Sequence, residues 1–415
     1  MAREMKNSGV RWIGDIPSNW GMSKFKTEGS VLSGFPFNSE KFTSDTGFPL
    51  IRIRDITSGQ AGTFYDGDYP TSYIIHDGDF LLGMDGEFNV RWWQGGDALL
   101  NQRCCRLSLN NKFFAKYIFY LIPFGLKLIN DLAYSTTVKH LSVPDILNLS
   151  LLVPPLSEQK VIADFLDAKC GEIDSLLADL DVEVKTLTEY KKSIIAETVT
   201  RGLNPNAPMK SSGIPWVGEI PKHWQLHPVY YYYTQRVHKN IFGDELNLLS
   251  LSYGKIIRKD INSIGGLIPA SYNTYNIVEK NDIIIRPTDL QNDKRSLRTG
   301  LVTEHGIITS AYIALKPSSG VYSPFFHYLL HSYDVKKVFY NMGDGVRQGL
   351  NYSEFSRLML IEPPIDEQIE IANYLDSKCA AIDQAITGKT QQIETLKAYK
   401  SSLIYEYVTG KKQVL

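Results

Sequence analysis

Cysteine is scarce in this chain. Its 415 residues contain four, Cys104, Cys105, Cys170 and Cys379, and none stands in a CxxC or a Cys/His metal spacing. Reduced thiols in a cytoplasmic protein are the plain expectation. No apolar run approaches membrane-spanning length, and no signal-peptide core follows Met1, where the chain reads AREMKNSGVRW. Neither a membrane span nor a secretory leader is expected. Excess charge is missing too, with 44 basic against 45 acidic residues. Any polyanion partner must therefore be met by local patches. Catalytic signatures are equally thin. There is no GxxxxGK[ST] loop for ATP and no Gly-rich cofactor motif, and Asn204-Pro205-Asn206 lacks the second proline and the aromatic of a methyltransferase NPPY. What remains is a folded composition, 43% hydrophobic and 12% aromatic, long enough for two to three domains.

The dominant feature is a stretch that occurs twice. Pro154 to Leu203 opens with two prolines, then Ser157 as N-cap and Glu158 in the first turn, where the helix dipole favours a carboxylate. No proline or turn pair interrupts it until Gly202, a natural C′ residue, with Pro205 beyond. A helix of roughly 45 residues would be about 68 Å long, longer than a small domain is wide, and so a connector. The second copy runs from Pro363 to Lys411. Glu158-Gln159 answers to Glu367-Gln368, Leu166-Asp167 to Leu375-Asp376, Lys169-Cys170 to Lys378-Cys379, and Tyr190-Lys191 to Tyr399-Lys400, all at one constant offset.

A shorter segment is duplicated as well. SGVRWIGDIPSNW (8–20) returns as SGIPWVGEIPKHW (212–224), a Pro- and Gly-punctuated anchor whose tryptophans suit docking into a domain. Between anchor and helix lie mixed strand and helix patterns. The first unit offers PLIRIRDI (49–56), DFLLGM (79–84), ALLNQRCCRLSL (98–109) and a helical segment interrupted at Pro123. The second offers LNLLSLSYGKI (246–256), NDIIIRP (281–287), GIITSAYIALKP (306–317) and a helical SPFFHYLLHSYDVKKVFYNM. The expected fold is α+β: two α/β heads separated by two long helices packed as an antiparallel coiled coil, in a pseudo-twofold internal repeat. The boundaries are 1–153 for the first head with its anchor, 154–203 for the first spacer helix, 204–362 for the second head with its anchor, and 363–415 for the second helix.

Three-and-four spacing marks the coil seam. It runs through Ile173, Leu176, Leu180, Val184, Leu187, Tyr190 and Ile194, and through Ile382, Ile386, Ile393, Leu396, Tyr399 and Leu403 with Lys389 interrupting. Ile162, Phe165 and Leu166, with Ile371, Tyr374 and Leu375, lie outside that seam and are expected to offer the same docking surface twice.

The W-x-G-x-I-P-x-x-W anchor, the PPL-x-EQ-x-x-IA-x-(F/Y)-LD helix start and the Y-K-x-S-(L/I)-I helix end, each present twice, resemble the specificity subunit of type I restriction–modification systems. The resemblance spans essentially the whole chain. It implies a non-catalytic, cytoplasmic DNA-binding subunit for host defence. Its two target-recognition domains would each read half of a split, asymmetric site in double-stranded DNA, and its helices would act as a ruler. It further implies docking of two methyltransferase subunits, with restriction/motor subunits joining through them. S-adenosylmethionine, ATP and Mg²⁺ would belong to those partners and no cofactor to this chain. A rigid helical spacer gives a fixed gap where a Gly/Ser linker cannot. The rival readings are a self-sufficient fused restriction/methylation enzyme and a coiled-coil scaffold. For the former, Pro144-Asp145 followed by Glu158-Gln159-Lys160 imitates a metal-dependent nuclease spacing. The repeat loses the lysine, however, and Glu158 already has a helix-start explanation.

Candidate DNA contacts follow from residue type. In the first head they are Arg52 and Arg54, alternating with isoleucines on one strand face; Asn89, Arg91 and Gln94 in a Gly-bounded loop; and Thr137 and Lys139 before the helix-leading segment. In the second head they are Tyr253, Lys255 and Arg258 in a basic strand-turn, and Arg286, Gln291, Asn292, Lys294, Arg295 and Arg298 in the densest basic loop. Arg347 and Gln348, opposite Thr137 and Lys139, complete the set. Arginine suits bidentate contact with guanine or phosphate, and amides read base edges. YYYY (230–233) reads as an aromatic strand start.

Overall fold

The computed structural model describes residues 3–132, 139–261, 271–288, 290, 297–342 and 349–414. The chain forms two compact units, Met1–Leu180 with Gln392–Leu415, and Asp181–Gln391. Both long helices are continuous, the first coil helix from Leu156 to Arg201 and the second from Ile365 to Val408. Each unit holds one half of each.

Both units are built on one frame. In the first, the sheet order is Val90–Trp92, Phe80–Gly83, Cys104–Leu109, Gly29–Ser33, all antiparallel. In the second, Thr299–Leu301, Ile283–Ile285, Ile313–Pro317 and Tyr233–Gln235 take the same places in the same order. One helix covers each sheet, Ala115–Leu132 in the first unit and Ser323–Val335 in the second. The first of these runs on through Pro123, so the expected interruption is absent. A two-stranded tie links the anchor to the segment before each coil helix, Gly21–Lys24 with Ser150–Val153 and Gln225–Pro228 with Met359–Glu362. The heads differ in what is added. The first carries a five-stranded sheet over an aromatic cluster around Phe37, Leu50, Tyr65 and Leu99. The second carries the hairpin Leu249–Ser252/Lys255–Arg258 and the pair Asn276–Val278/Gly306–Ile308.

The duplicated motifs earn their places in packing. Trp20 is buried and donates its indole N–H to Glu158 at 3.0 Å. Trp224 does the same to Glu367 at 2.9 Å. The glutamate at each helix start is therefore favoured by the dipole and fixed by the anchor. The neighbouring glutamine is buried: Gln159 Nε2 donates to the Pro154 carbonyl, and Gln368 Nε2 to that of Pro363. The nuclease-like Glu158-Gln159 spacing is thus consumed in structure, with Arg3 also paired to Glu158.

Within each unit the two coil halves run antiparallel. In the first, Phe165 packs against Tyr407 with tilted rings 4.5 Å apart and Lys400 pairs with Asp174 at 2.6 Å. In the second, Lys191 pairs with Asp383 at 2.6 Å and Lys389 with Glu183. The seam differs from the expected one at three positions. Leu176, Tyr190 and Tyr399 are more than half exposed. Their neighbours Leu177, Lys191 and Lys400 turn inward instead. Side by side at these sites stand two residues that each fit a three-four rhythm. The lysines win because their stems cover the seam while their ammonium groups reach a carboxylate on the other helix.

The expected docking residues are corrected too. Ile162 and Leu166, like Ile371 and Leu375, are at most 2% exposed and belong to the cores beneath the heads. Phe165 and Tyr374 are half-buried against the same cores. This stripe binds helix to head. The apolar side chains left at the surface near each helix start are Leu156 and Val161 in the first unit, and Ile365 and Ile369 in the second.

Candidate nucleic-acid interface

In the first head, the strand Phe48–Ile51 ends where the Asp55 carboxylate accepts the Arg52 N–H at 2.8 Å and starts the short helix Ile53–Ser58. Arg52 and Arg54 therefore do not share a strand face. Arg54 is exposed and donates to Thr63 Oγ1, while Arg52 lies over the Phe42 ring at 5.6 Å. Arg52 lines a concavity of about 320 Å³ with Ser39, Asn101, Gln102 and Arg103. Gln102 and Arg103 are exposed residues that sequence reasoning passed over. ALLNQRCCRLSL read as one strand, but buried Asn101 makes a turn, its carbonyl accepting from Cys104 N, between Ala98–Leu100 and Cys104–Leu109. The turn signal was the polar Asn-Gln-Arg triplet between two apolar runs.

Arg91 is corrected to a structural role. Its guanidinium donates to the carbonyls of Ile56 and Thr57, closing the C-terminus of helix Ile53–Ser58. Lys139 is likewise engaged, with Nζ bonded to the Asn130 carbonyl and side chain at 2.6 and 2.7 Å. Asn89 and Gln94 are exposed. Thr137, Gln291, Asn292, Lys294, Arg295, Arg347 and Gln348 lie outside the described residues.

In the second head, Arg298 is corrected. It is fully buried, its guanidinium donates to the carbonyls of Thr288 and Arg286, and its backbone N–H bonds buried Asp334. An arginine sealed this way ties the Arg286 and Thr288 carbonyls to its own position and has no surface from which to meet a phosphate. Arg286 is partly buried beside it. Arg258 forms a two-pronged ion pair with Glu304, raising the arginine and lowering the glutamate from their ordinary pKa values. Tyr253 and Lys255 stand at the exposed tip of the hairpin. In YYYY, Tyr230 and Tyr231 are exposed on a short helix, whereas Tyr232 and Tyr233 are buried.

Behind the hairpin tip lies a cavity of about 470 Å³, lined by Tyr253, Lys255, Lys191, Lys192, His327 and His331 among others. Burial pushes His327 down to about 3, with His331 contributing. Burial, then Lys191 and Lys192, hold His331 at about 4. Both rings are neutral at physiological pH.

Residues 17–181 match the family model described as a type I restriction modification DNA specificity domain. The chain is 27% identical over 436 aligned residues to the type I restriction enzyme EcoBI specificity subunit of Escherichia coli, covering 98% of this chain and 91% of that protein. It is 24% identical to the MjaVIII specificity subunit of Methanocaldococcus jannaschii, covering 82% and 80%. A solved structure described as the basis of complex assembly and conformational transition of the type I R-M system matches with a TM-score of 0.70. It is 13% identical and covers 96% of this chain and 99% of that one, a likeness of fold.

Proposed function

From its similarity to type I restriction enzyme specificity subunits, we infer that this chain is one of them and selects a split site in double-stranded DNA for a multisubunit modification and restriction enzyme. The observation that carries this reading is the contrast between a frame repeated strand for strand and two heads furnished differently on it. Two equal heads would ask for a palindrome. Two unlike heads on one duplicated frame suit two unlike half-sites. Partly buried Arg52 with exposed Arg54, Gln102 and Arg103 in the first head and exposed Lys255 in the second supply the cations and amides that meet phosphates and base edges.

Methylation and cleavage belong, on this reading, to partners. Two methyltransferase subunits dock at the repeated helix starts, around Leu156 and Val161 in one unit and Ile365 and Ile369 in the other, with restriction/motor subunits joining through them. S-adenosylmethionine, ATP and Mg²⁺ are theirs, and the assembly works in the cytoplasm. Among the described residues no helix is long and apolar enough to cross a membrane. A footprint of this chain with its methyltransferase partner tests the reading. Two protected half-sites flanking an unread gap are expected; one contiguous site overturns it. Methylation by the purified chain alone would favour the fused-enzyme alternative.

A further inference from the structure

The hairpin Leu249–Ser252/Lys255–Arg258 carries a side-chain arrangement that the packing of the second head does not require. Cross-strand partners share a face, and the register pairs Leu251 with Ile256, Ser250 with Ile257 and Ser252 with Lys255. Leu251 and Ile256 point into the head, against the cluster of Leu249, Ile284 and Val302. Gly300 lets them in. A Cβ there would stand 2.6 Å from Leu251 Cδ1 and 2.9 Å from Ile256 Cδ1, so the ribbon sits tightly on the strand below. The outer face is then Ser250, Ser252, Lys255 and Ile257, with Ile257 42% exposed.

The turn points the same way. Tyr253 and Gly254 both have positive φ, 45° and 78°, the geometry that favours Asn-Gly and strains a tyrosine. Tyr253 is 82% exposed, so no packing inside the head rewards that strain. Strained, exposed residues on a rigid support are characteristic of sites that meet a partner. The chemistry of the face selects the partner. Hydroxyls donate to and accept from base edges, a branched alkyl group fits a thymine methyl, an aromatic ring stacks on an exposed base, and a lysine meets a phosphate. The cations this ribbon can offer are Lys255 on the outer face and exposed Lys259, Arg258 being paired with Glu304. Two strands about 4.8 Å apart form a ribbon that the major groove admits.

Resting on the reading that this chain selects DNA, we propose that this hairpin is the groove-reading ribbon of the second head. Ile257 contacts the methyl of a thymine in that half-site, Ser250 and Ser252 bond neighbouring base edges, and Tyr253 stacks at the tip.

The test selects duplexes from a randomised pool with the full chain assembled with its methyltransferase subunits. Wild type yields a split sequence with a thymine in one half. Ile257→Ala lowers preference for that thymine by roughly three- to tenfold and leaves the other half unchanged. Replacing that thymine by deoxyuracil, which removes only the methyl, weakens wild type by the same factor and leaves the variant unaffected. Tyr253→Asn relieves the turn, so its melting temperature holds or rises while DNA affinity falls, a split that a purely structural tyrosine would not give. Unchanged half-site preference in Ile257→Ala, or full affinity in Tyr253→Asn, overturns the proposal. A wild type that selects no split sequence overturns the reading beneath it instead.

Discussion

Substituting Leu375 by alanine separates the two roles that a repeated apolar stripe near a helix start can have. Leu375 is fully buried in the core of the second unit, beneath the head, along with Ile371 and Cys379. Leucine-to-alanine changes at such sites cost about 2–5 kcal/mol, because the lost transfer free energy is joined by a cavity the surroundings only partly fill. For a unit of roughly 200 residues, 1 kcal/mol shifts the melting temperature by about 2–4 °C. Leu375→Ala should therefore lower the transition of its unit by about 4–20 °C, and Leu166→Ala should do the same in the other unit. Ile365→Ser, at a 46% exposed position, should change stability by no more than about 0.5 kcal/mol yet weaken binding of a methyltransferase subunit. Calorimetry reads the first pair and mass measurement of the assembly the last. An unchanged melting temperature for Leu375→Ala would refute the assignment of this stripe to the core.

The remaining predictions use other parts of the frame. Arg298→Ala should destabilise the second unit by about 1–3 kcal/mol, since the Arg286 and Thr288 carbonyls lose their guanidinium donor while the backbone N–H to Asp334 is kept; a purely DNA-binding defect with full stability would contradict the burial argument. His327 and His331 have folded pKa values of about 3 and about 4 against an ordinary 6.5. Between pH 6.5 and about 4 the unfolded chain binds protons that the folded chain does not, so stability falls as pH falls through that window. His327→Phe, which installs the aromatic found at Phe119 in the first unit, should flatten that dependence in acid denaturation curves. Trp224→Phe should lower stability by about 1–2 kcal/mol through loss of the indole–Glu367 bond, discounted because Glu367 is one-third exposed and keeps His223. DNA binding by the assembly should weaken steeply with salt in titrations from low to physiological ionic strength.

Much of the frame was legible because its signals are redundant. A tryptophan anchor, a PP-x-x-EQ helix start and a three-four apolar rhythm recur in each half, and each has a local physical cause in the structure. The failures came where two neighbouring residues competed for one role. Leu176 beside Leu177 and Tyr190 beside Lys191 fit the seam equally by spacing, and hydrophobicity favours the wrong member of the second pair. Only the position of Asp383 on the other helix decides for lysine. Arg298 misled for a related reason. Sequence reads a basic loop as solvated, and nothing local reveals that Asp334, far along the chain, buries beside it. The period-two reading of Arg52 and Arg54 failed because Asp55, one residue on, ends the strand by taking the Arg52 N–H. In the heads, Arg91, Lys139 and Arg298 turn into the structure, whereas Arg54, Asn89, Gln94, Tyr253 and Lys255 stand exposed.

The central claim is that two unlike heads on a duplicated frame select a split DNA site. Methylome sequencing of the host, with this gene intact and deleted, tests it most directly. The account predicts one modified motif made of two different half-sequences separated by a gap of fixed length, lost entirely on deletion. A contiguous modified motif, or a methylome unchanged by the deletion, would contradict it.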